Sequence, residues 1–222
     1  MESGKKHGFL SEMFIPIQVL EIPKIDLNKY VQLKRSRLSI ISQNGWGGLV
    51  YHYLGLQFTS PFINMSVLES DMLKLMGNFK LYMEYDVRYK TESFNDILGR
   101  YYPIGTIGDV ELNFIHYKDF DDAVNTWEKR KKRLNYDNLF FMSYTEDRKY
   151  ADKFIEYDGL NKICFAPFRH ESNEIYYLES IEKGKPYWEM VTSSANGKYY
   201  CYDIKSLLLG NIGNPGLRNN IG

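Results

Sequence analysis

Two kinds of hydrophobic pattern alternate along the chain. Short, largely apolar runs at Leu38–Ser42, Phe62–Val67, Val110–Tyr117, Asn138–Met142 and Lys162–Ala166 have the length of strands, and Leu38–Ser42 reads as a buried one. Between them, apolar residues recur at helical spacing. Trp46, Leu49, Val50, Tyr53 and Leu54 mark a short helix that Gly55 stops. A helix capped by Ser70 runs to Met83 with Met72, Leu73, Met76 and Phe79 inward. Asp119–Leu134 carries the stripe Phe120, Val124, Trp127 and Leu134. Ser143-Tyr144-Thr145-Glu146 fits a capping box opening a helix to Tyr157. Asp26–Arg35 and Asp203–Leu209 are further helices, and Ile175–Leu178 and Lys198–Tyr202 further strands. Val87–Tyr102 fits neither period, and Tyr102-Pro103-Ile104-Gly105 and Ile107-Gly108-Asp109 have turn chemistry.

This alternation predicts an α/β protein of three layers: a mostly parallel sheet with helices on both faces, Rossmann-like in topology. Residues 1–209 are expected to form one domain, with 1–25 loosely ordered and 210–222 a flexible Gly/Asn-rich tail.

Composition narrows the partners. Lys plus Arg and Asp plus Glu both number 28, so no basic excess points to nucleic acid. The run Lys129–Arg133 ends a helix that starts with Asp119, Asp121 and Asp122, an order that suits the helix macrodipole. Cys164 and Cys201 sit in apolar runs and read as buried thiols. No Cys/His spacing suggests a metal site, no cofactor is predicted, and no apolar run approaches a membrane span. The amino terminus lacks a signal-peptide core, so a cytoplasmic protein is expected.

In parallel sheets, ligands gather beyond the carboxyl ends of the strands. Four groups follow predicted strand ends: Gln43 and Asn44 with the Gly-Trp-Gly-Gly turn; His116 and Tyr117; Ser143, Thr145, Glu146 and Asp147; and Arg169, His170 and Glu171. If every strand is parallel, they share one rim. Gly45-Trp46-Gly47-Gly48 matches neither a dinucleotide fingerprint nor a P-loop. It fits equally a ligand loop, with backbone amides on an anion and Trp46 on a ring, or a tight turn with Trp46 in the core. His116 is the general-base candidate, with Asp109 and Asp119 near in sequence.

The stretch "LSIISQNGWGGLVYHYLGLQFTSPFIN", Leu38–Asn64, resembles a bacterial family described as exopolysaccharide or capsule biosynthesis proteins of unknown activity. The resemblance continues through "YYPIGTIGDVELNFIHYKDF" and the long helix to Arg148. It carries over Asn44, Trp46, Gly47 and Gly48, then Ser60, Pro61, Phe62 and Asn64, then Asp109 and His116, then Trp127, Arg130 and Arg133. It also places a Cys where this chain has Gly45, so covalent thiol catalysis is not expected here. Joined to the strand-end residues, it implies His116 and Asp109 as catalytic groups. Asn44, Trp46, Gly47, Gly48, Ser60, Asn64, Tyr117, Arg130, Arg133, Thr145 and Arg169 are the implied substrate-binding set. The expected activity is group transfer on a sugar, nucleotide-sugar or lipid-linked glycan, with polysaccharide-assembly proteins as partners. The other reading is a non-catalytic glycan-binding or assembly protein of the same pathway.

Overall fold

The computed structural model describes residues 24–179, 184–195 and 202–210. In chain order its elements are α1 (Lys24–Ser36), β1 (Ser39–Ser42), α2 (Trp46–Tyr53), α3 (Glu69–Tyr82), β2 (Arg88–Asn95), β3 (Arg100–Ile107) and β4 (Val110–Asn113). Then follow α4 (Phe120–Lys131), β5 (Leu139–Tyr144), α5 (Arg148–Ile155), β6 (Lys162–Ala166), β7 (Ile175–Tyr177), α6 (Tyr187–Ser194) and α7 (Ile204–Leu208).

The predicted strands at Leu38–Ser42, Asn138–Met142, Lys162–Ala166 and Ile175–Leu178 pair as a four-stranded sheet, ordered β1-β5-β6-β7 and parallel throughout. Alternating side chains of a strand leave opposite faces, so a strand buried on both sides is mostly apolar, and the buried Ser39 and Ser42 of β1 donate to the Thr59 carbonyl and Met142 Sδ. Ile41, Phe141, Cys164 and Ile175 enter one core, closed by α3, α4, α5 and the edge of a second sheet. Ile40, Phe140, Met142, Ile163 and Phe165 enter the other, closed by α1, α2, α6 and α7. Helices therefore cover both faces, as the alternation implied. Among the described residues the strands lie in chain order, β1-β5-β6-β7, with no reversal. Cys164 is fully buried as a free thiol, and burial pushes its titration up. Cys201, the start of the Lys198–Tyr202 strand and most of both chain ends lie outside the described residues.

The second sheet is the main departure from expectation. β2, β3 and β4 form an antiparallel meander inserted between α3 and α4. The unassigned stretch Val87–Tyr102 holds β2 and the start of β3, and the presumed turn at Tyr102–Gly105 lies inside β3. Its pattern was illegible because β2 is exposed along most of its length, so no face was selected for apolar residues. The run at Val110 also belongs here, not to the parallel sheet. It ends at Asn113, where the chain turns and the Tyr117 amide donates to the Phe114 carbonyl at 3.1 Å. Phe62–Val67 is irregular rather than a strand. Phe62, Ile63, Met65 and Val67 fill the cores, and Ser66 alone forms a bridge, with Asn113.

Two helix starts also shift. Ser143 and Tyr144 remain in β5, and Asp147 caps α5 by accepting from the Lys149 amide at 2.9 Å. Helix α3 begins at Glu69 after Leu68, without a side-chain cap from Ser70. Asp119 does cap α4, accepting from the Asp122 amide at 2.8 Å.

Candidate functional site

The Gly-Trp-Gly-Gly turn is a close-packed joint. Trp46 is fully buried, stacks on Phe140 at 6.4 Å between ring centroids, and donates from Nε1 to the Tyr202 hydroxyl at 2.8 Å. A Cβ on Gly47 would lie 2.9 Å from Ser42 Cβ and 3.1 Å from Ile40 Cγ2, so only glycine lets α2 sit this close to β1. Gly48 faces Ile63 Cγ2, which a Cβ would approach to 3.3 Å. The first amides of α2 are already occupied. Trp46 N–H donates to Asn44 Oδ1 at 3.0 Å and Gly47 N–H to Ser42 Oγ at 3.1 Å. Packing therefore accounts for Trp46, Gly47 and Gly48, whose faces turn to the core.

The residues just before that joint face outward. Asn44 and Gly45, after β1, and Tyr144, the last residue of β5, line a cleft of about 390 Å³ at the carboxyl end of the sheet. This is the size range of small-ligand sites. The inserted meander supplies the opposite wall. Asn95, Ile97 and Leu98 come from the β2–β3 turn, and Ile115 and His116 follow β4. Met65 and Ser66 come from the irregular segment, and Trp188 and Thr192 from α6. The lining is mostly apolar and, among the described residues, contains no Lys, Arg, Asp or Glu.

Two side chains stand out. Asn44 is only 7% exposed; its Oδ1 is fixed by the Trp46 amide, while Nδ2 is buried with no partner among the described residues. A buried donor without an acceptor costs about 1–3 kcal/mol, a strain this joint carries. The backbone amide of His116 donates to the Asn64 carbonyl at 3.2 Å, and among the described residues no side-chain hydrogen bond holds its ring. Burial, then the Arg100 charge, holds His116 below its ordinary value of 6.5, so the ring is neutral at pH 7 with a lone pair free. Arg100 itself reaches the Ile115 carbonyl at 3.4 Å. Ser66 is pinned by its backbone, which exchanges two 2.9 Å bonds with Asn113. The arrangement can take a proton at His116 and seat a neutral group on apolar walls.

The other expected residues lie elsewhere. Asp109 sits in the β3–β4 turn, and the four residues of β4 alone hold it about 13 Å from the His116 end. Hydrogen bonds from Tyr82 and Lys74 hold its carboxyl below the usual range, so it serves that surface cluster rather than His116. Tyr117 is buried, donating to the Ile63 carbonyl at 2.8 Å and accepting from Arg130 at 2.7 Å. Arg130 also covers Phe58, and Arg133 reaches the Phe58 carbonyl at 3.5 Å, so both arginines pin the segment leading to Ile63. Ser60 is buried and accepts from the Phe62 amide. Asn64, at φ 61, contributes its left-handed turn and its carbonyl. Thr145 is buried and accepts from the Asp147 amide at 3.0 Å. Arg169 lies over the Tyr177 ring at 5.1 Å, and His170 meets Asp152 at 3.1 Å. Of the four strand-end groups, those carrying Asn44 and His116 meet in the cleft. Tyr144, from the β5 end, joins them; the β6 group does not.

Sequence reasoning passed over Gly45, Ser66, Asn95, Ile97, Leu98, Tyr144, Trp188 and Thr192 as site residues. Trp188 had a usable signal, an indole on the outer face of a short helix. The others depend on where the meander and α6 pack.

Fold and site together define a three-layer α/β protein with a neutral, ligand-sized cleft at the carboxyl end of a parallel sheet. Residues 17–208 match the family described as Domain of unknown function (DUF1919), and the chain belongs to that family. It is also 29% identical over 185 residues to a Haemophilus influenzae protein described as "Uncharacterized protein", covering 80% of this chain and 86% of that one. Neither description names an activity. Among the described residues no helix is long and apolar enough to cross a membrane, and no group of three or more His, Cys, Asp or Glu could hold a metal ion.

Proposed function

We propose that the cleft is the site of a group transfer involving a sugar, in the assembly of a bacterial exopolysaccharide or capsule. The carrying observation is one cleft lined by both His116, whose ring is held neutral, and Asn44, whose Nδ2 lacks a partner among the described residues. His116 is the general base that takes a proton from a sugar hydroxyl. Asn44 forms part of the wall, and Trp188 and Tyr144 supply rings for a sugar face. The place in polysaccharide assembly rests on the resemblance of residues 38–64 and 101–148. A cytoplasmic location, and contact with other assembly proteins, belong to the same proposal.

Thermal shift with a panel of sugars, nucleotide-sugars and short glycans tests it. A bound ligand at 100 times its dissociation constant adds about 2.7 kcal/mol to stability, a clear melting shift. Asn44→Ala is expected to abolish the shift. His116→Ala is expected to retain binding and lose turnover; full turnover in that variant removes His116 from the reaction.

A second reading, a non-catalytic glycan-binding or assembly protein, draws on the aromatic pair Tyr144 and Trp188 in the cleft. It requires glycan binding without turnover, with Trp188→Ala more damaging than His116→Ala.

A further inference from the structure

We infer that the β2–β3 hairpin docks this protein on a phospholipid surface, with its apolar tip set into the interface and the cleft opening onto lipid. The occupant of the cleft is then a glycan carried on a lipid. Only that last step rests on the group-transfer reading; the docking stands on the hairpin itself.

The tip is an exposed apolar cluster. Residues 96–99 form the turn, and Asn95 and Arg100 pair just behind it across β2 and β3. Ile97 is 78% exposed, more than any other large hydrophobic side chain among the described residues. Leu98 beside it is exposed too, as are Phe94 and Tyr101 on the second rung. Phe94 and Tyr101 oppose each other in register, with ring centroids 5.0 Å apart. The turn is braced by the Leu98 amide, which donates to Asn95 Oδ1 at 2.9 Å. A contiguous exposed apolar cluster marks a contact surface.

The order of side chains along the hairpin selects lipid. Aliphatic Ile97 and Leu98 stand at its end, Arg100 follows, then the aromatic pair, and Tyr89, Lys90 and Arg88 lie further back. A bilayer is graded the same way. Aliphatic side chains reach the hydrocarbon, while tyrosine rings and long basic side chains stay at the headgroups. Arg100 reaches the Ile115 carbonyl at 3.4 Å, which leaves the turn itself to the aliphatic pair. Asp96 in the turn offsets its charge, so apolar burial rather than lipid charge supplies the attraction. A second protein fits less well. Four part-exposed side chains on a two-stranded tip fall short of the about 800 Å² that each partner of a stable complex buries. A bilayer demands neither that area nor a matching shape.

The same tip is a wall of the cleft. Asn95, Ile97 and Leu98 line it, as does the part-exposed Trp188 of α6. Ile97 lines the cleft and yet stands largely in solvent, so it sits at the mouth. Setting the tip into the interface brings that mouth to the headgroups. Met65 and Ile115 extend the apolar lining. A glycan tethered to a membrane lipid then enters the cleft without leaving the surface, which is a use for apolar residues at the mouth that a freely soluble sugar does not have.

Flotation of the full chain with vesicles tests the docking. One set is phosphatidylcholine alone and the other phosphatidylcholine with phosphatidylglycerol. Wild type is expected to float with both. Ile97→Asp is expected to lose at least about tenfold in partitioning, because it removes an aliphatic side chain from the tip and adds a charge. Phe94→Ser leaves the cleft lining untouched and is expected to weaken flotation as well. Leu27→Asp, at an exposed leucine of α1, is the control and should float like wild type. All three positions are exposed, and equal melting temperatures show that the variants fold. Wild type that floats with neither vesicle overturns the docking, and so does Ile97→Asp floating like wild type. Flotation only with phosphatidylglycerol, lost in high salt, overturns apolar insertion. A dimer that Ile97→Asp dissolves, without flotation, assigns the tip to a second copy and overturns the lipid. Thermal shift with soluble glycans but no flotation removes the docking and leaves the group-transfer reading standing. Flotation with no response to any glycan, free or lipid-linked, leaves the docking and removes that reading.

Discussion

Gly47→Ala separates the packing account of the Gly-Trp-Gly-Gly turn from a ligand-cradle account. The added Cβ would lie 2.9 Å from Ser42 Cβ and 3.1 Å from Ile40 Cγ2. Both neighbours belong to β1 and are completely buried, so neither can swing aside as a long surface side chain would. Overpacking of this kind costs about 1–3 kcal/mol. Alanine returns up to about 1 kcal/mol of helix propensity relative to glycine. The expected net loss is about 1–2 kcal/mol, a fall in melting temperature of about 2–8 °C for a chain of this size. Gly48→Ala is the internal control. Its Cβ meets only Ile63 Cγ2, at 3.3 Å, so propensity and crowding nearly cancel and the melting temperature should hold close to wild type. Thermal denaturation followed by circular dichroism reads both. If Gly47→Ala melts like wild type but loses its ligand response, the turn is a cradle and the packing argument is refuted.

The pH dependence follows from His116. Its folded pKa lies below 6.5, held there first by burial and then by the Arg100 charge, so the acid limb of kcat/KM should fall below pH 6.5. Removing that charge with Arg100→Gln should move the limb upward; a limb that stays put would show that Arg100 does not act on the ring. Between the folded value and 6.5 the unfolded chain binds more protons here than the folded one, so this group's contribution to stability declines as pH falls through that window. Tyr117→Phe removes a buried hydroxyl that links Arg130 to the Ile63 carbonyl, and should cost about 1–3 kcal/mol in denaturant titration. Its ligand response should survive, because the hydroxyl holds the Phe58–Ile63 segment; a lost response in a stable variant would return Tyr117 to the site.

The sequence by itself determined the parallel sheet and most of its cover. Strands β5 and β6 are buried on both faces, which favours the near-continuous apolar runs Leu139–Met142 and Ile163–Ala166, and α4 declares itself by its stripe, its Asp119 cap and its basic end. It also put Asn44 at a strand end and His116 at the end of an apolar run, and both line the cleft. Tertiary structure alone decided what surrounds them. An exposed strand carries no burial period, so β2 left no mark, and Pro103 and Gly105 gave the half-buried β3 the look of a turn, yet the β2–β3 turn forms one wall through Ile97 and Leu98. Within the glycine turn, Asn44 and Trp46 are two residues apart with no repeating geometry between them. Only the packing of α2 on β1 sends the indole inward and leaves Asn44 at the cleft. Asp109 and His116 illustrate the converse. They are close in sequence, but an extended strand lies between them, and strand geometry turns that nearness into separation.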